Sequence, residues 1–198
     1  LRNREVIVAG GAGGLGSETV QLLEADGARV LSGSRSGGTV RADITRAEDR
    51  GRLLDAASNL YGLVVFTGTP ARGKAEEMMQ VSHDVNYAGP ILLARAAADR
   101  MRDRGMAGSI VLLSTMQAVA LFPGSTVYAA EKAAPDREPD LDVLRRHHHR
   151  RSEIGARWVA LRLGSQQMAG VGVLRVAEDF LGRPLLDDVS GGHHADPL

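Results

Sequence analysis

Apolar positions fall into two patterns along the chain. The runs Val6-Ile7-Val8-Ala9, Leu63-Val64-Val65-Phe66 and Ile110-Val111-Leu112-Leu113 lack alternation. Parallel strands covered on both faces read this way. Between them, apolar residues recur at helical spacing. Val20, Leu22 and Leu23 mark a helix from Leu15 to Asp26, which Gly27 suits as a stop. Arg29-Val30-Leu31-Ser32 and Val40-Arg41-Ala42 read as strands, the second ending at Asp43. Thr45 and Glu48 have capping-box spacing for a helix that buries Leu53, Leu54 and Ala57. A loop from Gly68 to Gly73 leads to a polar helix with Met78 and Met79. Asn86 opens a longer helix through Ile91-Leu92-Leu93 to Met101, stopping near Gly105. After Ser109–Ser114 and a loop with Phe122, Pro123 and Gly124 comes a helix from Tyr128 to Ala134. Pro135 and Pro139 interrupt the next stretch. Arg157–Leu163 is the sixth strand candidate, Val173 to Leu181 a last helix, and the tail is rich in Gly, Asp and His. Strands alternating with helices predict an α/β fold with a parallel sheet between two helical layers.

The glycine-dense stretch Ala9-Gly10-Gly11-Ala12-Gly13-Gly14-Leu15-Gly16 joins the first strand to the first helix. Glycine there permits a positive φ and close approach of a ligand's phosphates, and a helix N-terminus attracts anions. The functional reading is a dinucleotide site in a Rossmann-like, doubly wound sheet. Alone, the stretch also fits a bend that is merely rich in glycine.

Composition narrows the picture. The 198 residues form a single expected domain, 1–198, with 43% hydrophobic and 24% charged residues and a formal net charge of zero. That balance gives no overall attraction to nucleic acid or an anionic membrane. Cysteine is absent, which removes disulfides and thiolate metal sites and fits a reducing compartment. No run approaches the roughly 18 apolar residues of a membrane span, and no signal-like apolar region opens the chain. A cytoplasmic location is expected, with no metal.

Chemistry concentrates in Tyr128-Ala129-Ala130-Glu131-Lys132. Tyr and Lys at i and i+4 share a helix face. An ammonium beside a phenol lowers its pKa, and a tuned Tyr can exchange a proton with a carbonyl or alcohol. The spacing by itself equally fits an incidental surface pair. Thr115 lies thirteen positions earlier, beside Ser114 at the end of a buried strand. Hydroxyls at strand C-termini face the crevice where open α/β sheets bind ligands.

Taken together, these segments resemble the short-chain dehydrogenase/reductase family, and its 3-oxoacyl-reductase-like members in particular. Ala9-Gly10 through Gly14-Leu15-Gly16 is similar to TGxxxGxG, with Ala for Thr. Asp43-Ile44 stands where the family meets adenine, and Val85-Asn86-Tyr87-Ala88-Gly89-Pro90 matches the segment of its catalytic Asn. Gly108 to Thr115 matches the strand ending in its catalytic Ser, and Tyr128 and Lys132 match YxxxK. The resemblance covers roughly residues 5 to 134. It implies Tyr128 as general acid/base and Lys132 as the group that tunes it and holds the nicotinamide ribose. It implies Thr115, with Ser114 as helper, orienting the carbonyl, and Asn86 holding a water in a proton relay. The cofactor site implied is Gly10, Gly13, Gly14, Leu15, Gly16, Ser34, Arg35, Asp43, Ile44 and Gly68, with Tyr128 and Lys132. Members using NAD carry a carboxylate at the end of the second strand. Eighteen positions past Gly16 this chain has Ser34, then Arg35. A guanidinium attracts a 2′-phosphate, so NADP(H) is favoured; Arg35 is otherwise a solvated loop cation.

The departures bear on substrate binding. NNAG is Val65-Phe66-Thr67-Gly68, so two sheet-bracing amides are missing, and Thr replaces the catalytic Ser. Pro-Gly after the sixth strand reads Leu163-Gly164, with only Ser165 to Gly172 before the last helix, and Val189-Ser190-Gly191-Gly192 is similar to VDGG. A shortened C-terminal substrate region is therefore expected. Arg145-Arg146-His147-His148-His149-Arg150-Arg151 reads as a solvated cationic face or a dock for an acyl carrier protein. Consecutive helical histidines diverge too widely to chelate one ion. Two functions are consistent with these residues: an NADP(H)-dependent reductase of a ketone such as a 3-oxoacyl thioester, or a non-catalytic dinucleotide-binding sensor. The family resemblance also implies a dimer or tetramer.

Overall fold

The computed structural model describes residues 1–70, 76–118 and 126–137, with short strand pieces at 156–157, 160–161, 171–172 and 176–177. Five strands, β1 (Glu5–Ala9), β2 (Arg29–Ser34), β3 (Val40–Arg41), β4 (Leu60–Val65) and β5 (Ser109–Leu112), form one sheet in the order β3-β2-β1-β4-β5. Every pairing in it is parallel. The helices are α1 (Gly14–Ala25), α2 (Ala47–Asp55), α3 (Glu76–His83), α4 (Gly89–Asp103) and α5 (Thr126–Ala133).

Alternation along β1 explains the two cores. Ile7 and Ala9 face one way and pack with Leu53 and Leu54 of α2 and Ile91 and Leu93 of α4. Val6 and Val8 face the other way and pack with Val30, Val64 and Leu23 of α1. Successive strand side chains point to opposite faces, so a continuous apolar run requires cover on both sides. The doubly wound α/β sheet expected from the sequence is the one observed. The chain leaves β1 toward β2 and β3, then returns to β4 on its other side, which opens a crevice beyond the strand C-termini.

α1 ends as Gly27 suggests. Gly27 has φ +84°, its N–H donates to Glu24 O, and Ala28 N–H donates to Leu23 O. These bonds form a left-handed Schellman cap. α2 starts differently from the sequence expectation. Its N-cap is Arg46, with no side-chain cap bond. Asp43 Oδ1 accepts from the backbone N–H and hydroxyl of Thr45, and Asp49 Oδ2 accepts from Asp43 N–H. An aspartate turn anchors the start because a short carboxylate reaches N–H groups two residues on, and it consumes the Thr45 hydroxyl that a capping box would need.

Asn86 does not open a helix. It sits in a π-helical turn, Asp84–Ala88, that joins α3 to α4 in one continuous helical run. The sixth strand and last helix are also corrected. Ala156–Arg157 (β6) pairs antiparallel with Val176–Ala177 (β9), and Ala160–Leu161 (β7) with Val171–Gly172 (β8). None of the four joins the parallel sheet, and Val176–Ala177 is strand. Short apolar runs rich in β-branched valine suit pleated backbone as well as a helix. Phe122, Pro139, the Arg145–Arg151 run, Trp158, Leu163-Gly164 and Val189–Gly192 lie outside the described residues.

Candidate active site

The turn after β1 is shaped by two glycines with different duties. Gly10 takes φ +87°, and a Cβ there would lie 3.1 Å from both Phe66 C and Thr67 N. Gly16 is buried in the first turn of α1, where a Cβ would come within 2.1 Å of Gly10 O. Helix and turn therefore touch backbone to backbone. Gly14 differs: a Cβ there would meet nothing within 4 Å. Gly13, Gly14 and Leu15 lie exposed at the start of α1, with Leu15 42% exposed.

A cleft of about 290 Å³ lies beside this turn. Gly10, Gly13, Ser34, Arg35, Asp43, Ile44 and Gly68 line it, so most of the cofactor residues expected from the sequence are brought together. Gly14, Leu15 and Gly16 do not line it, and neither do Tyr128 and Lys132. Ser36, Ala42, Thr45, Phe66, Thr67 and Val85 also line it and were not expected. Phe66 and Thr67 stand next to Gly68 in sequence, which was the available signal. The Thr67 hydroxyl is buried and unpartnered among the described residues.

Ser34 serves the loop. Its hydroxyl donates to Gly37 O and accepts from the N–H groups of Ser36 and Gly37. That exhausts a hydroxyl's single donor and two lone pairs, so Ser34 shapes the bend that presents Arg35. Arg41 Nε donates to Arg35 O at 3.1 Å, which brings a second guanidinium to the same bend. Its position in β3 gives no hint of this in the sequence.

The second group gathers at the C-terminal ends of β4 and β5. The Thr115 hydroxyl acts on the Tyr128 phenol and favours its ionised form. Burial pushes the Tyr128 phenol above its usual value of 10.0, and the Thr115 hydroxyl opposes this more weakly. The lowering expected from a lysine neighbour is not found here: burial and Thr115 are the influences on the phenol, and burial is the larger. Lys132 is 3% exposed, and its Nζ donates to Thr67 O at 3.1 Å and Leu113 O at 3.4 Å. Burial lowers its pKa to about 8, and the Glu131 carboxylate pulls the other way. Ser114 is turned away from the crevice: its Oγ donates to Lys132 O at 2.9 Å. The helper role falls away, and Ser114 anchors α5 to the end of β5.

Asn86 is fully engaged. Its Oδ1 accepts from Thr69 N–H at 2.8 Å. Its Nδ2 donates to Thr69 O at 2.9 Å, Ser82 Oγ at 2.9 Å and Glu131 Oε2 at 3.1 Å. Two N–H groups shared among three acceptors leave no donor for a water, while Oδ1 keeps one further lone pair. The side chain pins the loop after β4 to the helix. A Cβ on Gly68 would lie 3.5 Å from Asn86 Oδ1 and 3.6 Å from Lys132 Nζ, so all three meet in one corner.

Residues 4–137, more than half of the chain, match the family model described as short chain dehydrogenase. The chain belongs to the short-chain dehydrogenase family. Over 159 residues it is 30% identical to 3beta-hydroxysteroid dehydrogenase 1 of Eggerthella lenta, covering 67% of this chain and 61% of that one. It is 28% identical over 156 residues to L-xylulose reductase of Caenorhabditis elegans, covering 68% and 62%. A crystal structure described as a candidate betaketoacyl-ACP reductase superposes with a TM-score of 0.64 at 31% identity, covering 69% and 64%. The matched segment thus spans less than two thirds of each of these relatives.

Short-chain dehydrogenases use a nicotinamide dinucleotide, and the residues present fit one. The open approach at Gly14, the positive φ of Gly10 and the α1 N-terminus together make a cradle for a pyrophosphate. Arg35 and Asp43-Ile44 line the cleft beside it, where they would flank a nucleoside. Among the described residues no cluster of three His, Cys, Asp or Glu could hold a metal ion. No helix among them is long and apolar enough to cross a membrane.

Proposed function

We propose that the protein is an NADP(H)-dependent oxidoreductase that reduces a ketone to an alcohol. The observation that carries this reading is the pairing of the Tyr128 phenol with the Thr115 hydroxyl just beyond β5, with Lys132 buried one helical turn along α5. A nicotinamide dinucleotide held by its pyrophosphate at the glycine turn would supply the hydride. Thr115 donates a hydrogen bond to the carbonyl oxygen and orients it. Tyr128 gives that oxygen its proton as negative charge develops there. Lys132, with a pKa of about 8, is mainly an ammonium at neutral pH, one helical turn from Tyr128 on α5. Asn86 acts through its braced amide, which fixes the wall between Gly68 and Lys132.

Arg35 on the cleft wall and Arg41 beside it support the phosphorylated cofactor, since a guanidinium pairs with a 2′-phosphate. Arg35→Glu is expected to weaken NADPH binding by at least about tenfold and leave NADH little changed. A 3-oxoacyl thioester, free or on a carrier protein, is the substrate class supported by the likeness to a betaketoacyl-ACP reductase. Exposed Met79, Val81 and Leu92 on α3 and α4 support assembly with further copies of the chain.

The missing amides at Val65 and Phe66 favour a second reading, a dinucleotide-binding sensor without turnover. Lys132 ties the loop after β4 to the residue that follows β5. The deciding experiment is NADPH oxidation across a ketone panel. Turnover by the wild type and its loss in Tyr128→Phe, with NADPH binding retained, supports the reductase. Binding without turnover on any ketone supports the sensor.

A further inference from the structure

Glu131 stands inside the motif that carries Tyr128 and Lys132, yet neither the hydride transfer nor the proton transfer gives it a task. It is 9% exposed. Burying a carboxylate costs several kcal/mol unless donors and an opposite charge surround it, and a small residue would fill a helix position next to Lys132 without that cost. The surroundings of Glu131 supply both forms of compensation. Ser82 Oγ and Asn86 Nδ2 both donate to its Oε2, and Asn86 Nδ2 also donates to Ser82 Oγ. Ser82 and Asn86 are each 1% exposed, so α3, the π turn and α5 meet in a closed polar triangle. The positive partner is Lys132, whose Nζ donates to the uncharged carbonyls of Thr67 and Leu113.

We propose that Glu131 is a positioning residue of the active site, a buried carboxylate that clamps the Asn86 amide and provides the counter-charge keeping Lys132 an ammonium. The proposal rests on the reading of Asn86 and Lys132 as site residues. Asn86, bonded to Glu131 Oε2, meets Lys132 Nζ at Gly68, so the carboxylate lies one amide away from the ammonium, and its charge favours the protonated amine against burial. On the facing helix, Asp84 Oδ1 accepts from Gln80 and His83 packs against Tyr87 at 5.4 Å, so neither enters the triangle. On α5 itself Tyr128 shares the Lys132 face and is neutral below its raised pKa. Removing the carboxylate's charge therefore leaves the ammonium facing burial alone, and its proton is lost at lower pH.

The chain contains just two lysines, Lys74 and Lys132. Carbon-13 lysine labelling of the cofactor-free protein thus gives two side-chain signals, and Lys132→Met assigns them. In the wild type the Lys132 signal should titrate near 8. In Glu131→Gln, which keeps shape and removes charge, the midpoint should fall by roughly one unit. An unchanged midpoint in folded Glu131→Gln overturns the proposal. Should that variant not fold, Glu131→Asp carries the test: the retained carboxylate holds the midpoint near the wild-type value, and a fall of the Gln size despite it overturns the proposal. On ketone reduction, the alkaline loss of kcat should move to lower pH in Glu131→Gln with KM little changed. The lysine titration needs neither cofactor nor substrate, so it separates the two readings. A shifted midpoint in a protein that reduces no ketone sinks the reductase and leaves the charge pair standing.

Discussion

Lys132 Nζ donates to the backbone carbonyl of Thr67 at 3.1 Å, tying the helix that carries Tyr128 to the loop leaving β4. The tie places an ammonium in a site that disfavours it, and the folded-state pKa falls from 10.5 to about 8. A depressed pKa means the fold prefers the neutral amine. The associated stability is complete above 10.5 and is lost as pH falls through about 8. The Tyr128 phenol is shifted the other way, so its contribution is intact below 10.0 and lost above its own raised pKa. Between pH 8 and pH 10, then, Lys132 should add on the order of 2 kcal/mol as pH rises. Urea unfolding across that window should show this rise in the wild type and lose it in Lys132→Met. Equal slopes in the two proteins would contradict the burial of the charge.

Gly16 and Gly14 separate folding from binding. Alanine at Gly16 puts a methyl 2.1 Å from Gly10 O, a backbone atom that can yield only if turn and helix part. Gly16→Ala should cost more than about 2 kcal/mol in unfolding free energy. Alanine at Gly14 meets nothing within 4 Å, so Gly14→Ala should fold as well as the wild type. Its methyl nevertheless stands where a pyrophosphate would approach, and NADPH affinity should fall about tenfold or more. Thermal unfolding and a fluorescence titration read the two effects independently.

The neighbouring hydroxyls of Ser114 and Thr115 should behave oppositely. Ser114→Ala leaves Lys132 O without its donor and should cost about 1–3 kcal/mol of stability. Its kcat should stay near the wild-type value, because Ser114 Oγ bonds to the backbone of α5. Thr115→Ala should cost little stability and lower kcat about a hundredfold. It also removes the hydroxyl that holds the Tyr128 pKa down, so the remaining activity should need higher pH where Tyr128 acts as the base. Urea unfolding beside steady-state kinetics on both variants checks the division.

The sheet was legible because its strands are unbroken apolar runs. Val6–Ala9 and Leu63–Val65 are short and rich in β-branched residues, which favours strands with cover on both faces. The glycine turn was legible for a similar reason, since Gly10 and Gly16 satisfy backbone constraints that other residues cannot. Polar side chains were harder to place. The α2 start went to Asp43 because its carboxylate takes the Thr45 N–H that Glu48 would claim in a capping box, and the Thr45 hydroxyl with it. The full engagement of the Asn86 amide depends on Ser82, Thr69 and Glu131, residues that only tertiary packing brings together. Glu131 was invisible as a buried group, because a charged residue in a helix reads as solvent-facing until its neighbours are known. The misreading of Val176–Ala177 as helix reflects two periods that a short valine-rich window satisfies equally.

The central claim is that Tyr128 protonates a carbonyl to which a bound nicotinamide cofactor would deliver hydride. It is tested most directly with NADPH deuterated at the transferring position, incubated with a ketone and either wild-type protein or Tyr128→Phe. Mass spectrometry of the alcohol should find one deuterium on the carbinol carbon with the wild type and no product with the variant. Alcohol formed by Tyr128→Phe at the wild-type rate, or product without the label, would contradict it.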